Sequence, residues 1–124
     1  FLGYAVELAE PKKDEGKAML LATHPKEPNF VVLPVLPGLI NLRASFTTEK
    51  TYSSKMDAAI NDVSSKLDVA NVFYEIEDGK AIIRIDGVYT GEYSKDLFGR
   101  YFSLLVKDVE RTFSVESVQK AFAG

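Results

Sequence analysis

The chain has 124 residues, no Cys or Trp, one His, and 15 Lys and Arg against 18 Asp and Glu, a net charge of -3. This length fits one domain, residues 1–124, and the absence of Cys excludes a disulfide framework, thiolate metal sites and cysteine nucleophiles. The acidic balance argues against a nucleic-acid partner, and no apolar run approaches the ~18 residues that a membrane span needs.

Leu2, Tyr4, Val6 and Leu8 recur at every second position, which predicts a strand over Phe1 to Glu10 with one buried face. Pro11 to Gly16 is a polar turn, and Lys17 to His24 is a second strand that closes an antiparallel hairpin. After the prolines of His24 to Asn29, Phe30 begins a third strand. Pro34 and Pro37-Gly38 separate it from a fourth, Leu39 to Thr47, in which Ile40, Leu42, Ala44 and Phe46 share a face. Pro34 requires an edge, a bulge or a bend.

Ser53 or Ser54 can cap a first helix, with Met56, Ile60, Val63 and Leu67 on one apolar stripe. The strongest local signal is Asp78-Gly79 between Val72–Glu77 and Lys80–Ile85, a two-residue hairpin turn. It sets Glu77 opposite Lys80, Ile76 opposite Ala81, Tyr74 opposite Ile83 and Val72 opposite Ile85. Ile76, Tyr74 and Val72 with their partners make one face apolar; the other pairs Phe73 with Arg84 and Glu75 with Ile82. Ser94 is the expected cap of a second helix, with Tyr93 and Phe98 as a hydrophobic staple. Phe98, Tyr101, Phe102, Leu105, Val109 and Phe113 form its core stripe, and a short third helix follows Ser114 with Val115, Val118 and Phe122. The predicted order is β-β-β(-β)-α-β-β-α(-α), an α+β fold with helices packed on an antiparallel sheet.

Catalytic constellations are not visible. His24 has no Asp, Ser or second His in a supporting motif. Glu75, Glu77 and Asp78 sit at an exposed hairpin, and Asp57, Asp62 and Asp68 decorate a surface helix. Gly87 to Gly91 lacks the residues of a phosphate loop, and Glu92 would repel an anion. No catalytic, cofactor-binding or metal-binding residue is therefore assigned. One anomaly remains in the second helix: Leu97 and Leu104 widen its apolar arc to roughly 200°. A single-faced helix needs little over ~100°. The third helix, an N-terminal segment or another chain has to cover the excess.

The helix Met56–Leu67, the strand beginning Asn71-Val72-Phe73, the turn Glu77-Asp78-Gly79-Lys80 and the helix with Leu97-Phe98, Leu104-Leu105 and Val109 resemble, in order and apolar pattern, the type III secretion chaperone-like fold. They are similar above all to the YbjN family of bacterial sensory transduction regulators. The resemblance implies a non-enzymatic, usually dimeric protein that acts by protein–protein contact, and the expectation is a cytoplasmic homodimer without a cofactor. Chaperones of this fold hold an extended client by strand addition and side-chain pockets. The family also implies a helix before the first strand, which would lie upstream of Phe1. No signal peptide is visible at Phe1. The expected contact residues are Phe73, Ile82 and Arg84 on the mixed sheet face, with Leu97, Tyr101 and Leu104 on the surplus helix face. The alternative is a sensory domain with a small molecule between sheet and helices, among Tyr74, Phe98, Tyr101, Phe102 and Phe113.

Overall fold

A computed structural model of the chain describes residues 4–9, 19–26, 28–36, 39–90 and 95–123. Six strands, β1 (Ala5–Ala9), β2 (Met19–Thr23), β3 (Phe30–Leu36), β4 (Leu39–Thr47), β5 (Asn71–Glu77) and β6 (Lys80–Thr90), form one sheet in the order β1-β2-β3-β4-β6-β5. Every neighbouring pair is antiparallel. The helices are α1 (Ser54–Ser64), α2 (Lys95–Ser114) and α3 (Glu116–Val118), the last running into a π-helical turn over Gln119–Ala123. The fold is α+β, as the element order predicts. The expected turn at Pro11–Gly16, the cap Ser94 and the staple residue Tyr93 lie outside the described residues.

Period-two patterning decides which side of the sheet the helices cover. Leu42, Ala44, Ile83, Ile85, Val72 and Phe30 share one face and are buried beneath Met56, Val63, Phe102, Leu105 and Val109. Pro34 is accommodated by two of the devices its chemistry allows. It lies two residues past the last β2–β3 pair, Leu20 with Val32, and a bulge falls between it and Leu36. Ser53 caps α1 through its side chain, accepting from Lys55 N–H, and α1 ends at Ser64, so Leu67 packs from the following loop. Val115, Val118 and Phe122 are buried as expected, and α3 lies against α1. It leaves the flank of α2 uncovered: Leu97 is 59% and Leu104 38% exposed.

Candidate functional site

The hairpin fixes β6 first. Asp78 and Gly79 both adopt positive φ, 52° and 78°, the mirror-image turn whose twist suits two antiparallel strands. All the predicted cross-strand pairs form, from Glu77–Lys80 to Val72–Ile85, and the register continues to Asn71–Asp86. Ile76, near the turn, is 43% exposed although it lies on the helix-facing side, whereas Ala81 opposite it is fully buried. Ala81 accepts from Thr48 N–H at 3.0 Å, so its backbone faces β4. Backbone direction alternates along a strand, and the β4–β6 register runs without interruption from Thr47–Ile82 to Leu39–Thr90. Odd-numbered residues of β6 therefore bond toward β4, and even-numbered ones, Val88 and Thr90 included, face the β5 side.

At that end β5 is missing, and a buried carboxylate explains why. Asp108 of α2 is fully buried. It accepts from the N–H groups of Asp68 at 3.0 Å, Val69 at 2.8 Å and Ala70 at 2.9 Å. Arg111 donates to Lys66 O at 2.7 Å and lies 3.9 Å from Asp108. Three charge-assisted bonds thus draw the chain toward α2 just before it reaches Asn71. Gly87–Thr90 consequently pairs with β4 alone among the described residues.

The start of α2 lies directly over this open end. A Cβ at Gly87 would collide with Tyr101 Oη and come within 2.9 Å of a Leu105 methyl, so glycine permits the close approach. Tyr89 packs edge-on against Phe98 at 5.1 Å and obliquely on Tyr101 at 5.5 Å. Burial, helped by the Asp108 charge, pushes the Tyr101 phenol up to about 12, and its hydroxyl has no hydrogen-bond partner. Around the open end Val88 is 53% exposed. Leu97 and Leu104 lie on the flank of α2 adjacent to Asp108, the β5 side.

Comparison of the chain with family models and with curated proteins gives no match.

The six expected contact residues fall into two groups on opposite sides of the sheet. Leu97 and Leu104 are exposed, whereas Tyr101 turns its ring into the core. Phe73, Ile82 and Arg84 occupy the face away from the helices, where charges satisfy one another. Arg84 lies 3.3 Å from Glu75 and 2.9 Å from Glu77 and donates to Ser45 Oγ at 2.8 Å. Arg43 forms a two-pronged pair with Asp86 at 2.7 and 2.8 Å and lies 5.3 Å over the Phe73 ring. This packing of long side chains reduces Ile82 to 9% exposure without help from a helix.

The remaining candidates take structural positions. His24 Nδ1 accepts from Lys26 N–H at 3.0 Å within its own loop, and its ring lies 5.0 Å from Tyr4. Asp57 accepts from the hydroxyls of Tyr74 at 2.6 Å and Tyr52 at 2.9 Å. These bonds hold its carboxyl below the usual range, the Tyr74 bond most, and push Tyr74 up to about 12. Among the described residues no cluster of His, Asp or Glu could hold a metal ion. Phe98, Phe102, Phe30 and Tyr4 pack on one another, as do Phe113 on Phe46 and Tyr74 on Phe122. Open depressions lie elsewhere, one of about 690 Å³ beside Asp62, Arg111 and Lys120. No helix among the described residues is long and apolar enough to cross a membrane.

Sequence reasoning passed over Asp108 and Thr112, the two buried polar side chains of α2. Their signal was present: both occupy the stripe defined by Tyr101, Leu105 and Val109, positions at which a solvated Asp or Thr does not belong.

Proposed function

We propose that the chain is a non-enzymatic protein–protein interaction module, self-associating as a homodimer, comparable to YbjN-type regulators and type III secretion chaperones. It works in the bacterial cytoplasm, without a cofactor, on a protein partner and not on nucleic acid or membrane. The observation that carries this reading is the exposed apolar flank of α2, with Leu97 59% and Leu104 38% exposed. The opposite face of this 20-residue helix already fills the core, and its flank leaves both side chains exposed. Clustered exposed apolar residues mark partner sites. The charged groups of the sheet, by contrast, are occupied with one another and offer no reactive pair.

Mass in solution, measured by light scattering across a wide concentration range, tests the proposal. The wild type is expected to self-associate, and Leu104→Glu to weaken that association by about tenfold or more while leaving the helical circular dichroism unchanged. Equal association of the wild type and Leu104→Glu overturns the role of the flank.

A further inference from the structure

We infer that the open end of β6 is the seam of the dimer: Val88 and Thr90 pair with Thr90 and Val88 of a second copy, joining two six-stranded sheets edge to edge. The inference rests on the homodimer reading above and adds the surface and the register that carry it.

Four backbone groups define the site, the N–H and C=O of Val88 and of Thr90. The alternation fixed by Ala81 points them away from β4, and β5 stops at Asn71, opposite Asp86. The residue that would continue β5 opposite Val88 is Val69, whose N–H is committed to Asp108 at 2.8 Å. The chain cannot therefore supply the missing partner from this segment without breaking the Asp108 cradle.

A second copy can supply it because the segment is self-complementary. In an antiparallel ladder, hydrogen-bonding residues of one strand must face hydrogen-bonding residues of the other. A two-fold axis through Tyr89 sets Val88 against Thr90 and Thr90 against Val88, so every outward group meets its counterpart at once. This is the isologous arrangement typical of closed dimers. The side chains agree, since Val and Thr are β-branched and form favourable cross-strand pairs. Such an axis is perpendicular to the sheet and keeps the helix layers of both copies on one side. Phe98 packs edge-on and Tyr101 obliquely against Tyr89, so the first turns of α2, with Leu97, come together near the axis. The edge of β5 does not compete well, because Glu75 and Glu77 stand along it, and charged side chains on an edge discourage pairing.

Two measurements on the full chain test the seam. Val88→Pro removes the outward N–H from each copy without taking a ladder bond from β4, and the preceding Gly87 tolerates the restriction that proline imposes. The variant is expected to retain its circular dichroism and to dissociate at a concentration about tenfold or more higher than the wild type. In the unaltered chain, the Val88 and Thr90 amides should exchange slowly with solvent at high concentration and rapidly on dilution, whereas Ile83 and Ile85 stay protected throughout. Concentration-independent exchange at Val88 and Thr90 in a dimer that Leu104→Glu dissociates would overturn the seam and leave the helix flank standing. Dissociation by Val88→Pro with no effect of Leu104→Glu would do the reverse. A wild type that stays monomeric throughout, with both amides exchanging rapidly, would overturn the seam.

Discussion

Ile82–Asp86 and Gly87–Thr90 belong to one uninterrupted strand, with one register against β4 and continuous alternation of faces. Among the described residues the first part is paired on both sides, the second on one. Their sequences do not differ in kind; both alternate, and both carry β-branched residues. The difference comes from α2, where Asp108 holds residues 68–70 away from the sheet. A strand can thus be well specified along its length and still acquire a free edge from a contact with another element.

The largest expected effect is on the carboxylate that separates the two parts. Asp108→Ala leaves three N–H groups without an acceptor and should cost about 3 kcal/mol or more in urea unfolding. A loss below ~1 kcal/mol, with Asn71 exchange unchanged, would show that the chain path is set elsewhere. Next comes Gly87→Ala, whose methyl meets Tyr101 Oη and the Leu105 methyls; it should cost about 2 kcal/mol. That cost should fall in a Tyr101→Phe background, and a double-mutant cycle gives the coupling.

Tyr101→Phe alone should be neutral or stabilising by up to about 1 kcal/mol, since it removes a buried hydroxyl that has no partner. It should also alter the alkaline limb of the stability curve. The folded phenol ionises at about 12 against an ordinary 10, so the unfolded chain releases its proton first. The stabilisation is complete below pH 10 and is lost as pH rises toward 12. Phe should flatten that window, and an unchanged alkaline slope in thermal melts would contradict the assignment. Tyr74, raised to about 12 by its bond to Asp57, should persist as the alkaline component left in the variant. The smallest effect is at acid pH. The Asp57 carboxyl is held below its ordinary 3.8, so its contribution is present above that value and fades as pH falls beneath it. Tyr74→Phe should shrink this acid-limb slope.

Much of this architecture was legible because it depends on neighbours in sequence. The Asp78-Gly79 turn, the six pairs that follow from it, the Met56–Val63 stripe and the burial of Val115, Val118 and Phe122 all follow from periodicity and turn chemistry. The candidate surface was legible only in part. Leu97 and Leu104 stood out on the helical wheel, yet Tyr101, one position class away, turned inward because Gly87 leaves room for its ring. Phe73, Ile82 and Arg84 were expected on a separate, mixed face of the sheet, and the alternation of β5 and β6 puts them there, away from the helices.

The sequence alone therefore determined the elements, their faces and the hairpin register, since each arises from interactions within a few residues. Tertiary structure alone decided which part of β6 stays open. The deciding bonds join Asp108 to N–H groups 38 to 40 residues away. No local pattern encodes that meeting; it exists only once the sheet has formed and α2 has packed across it.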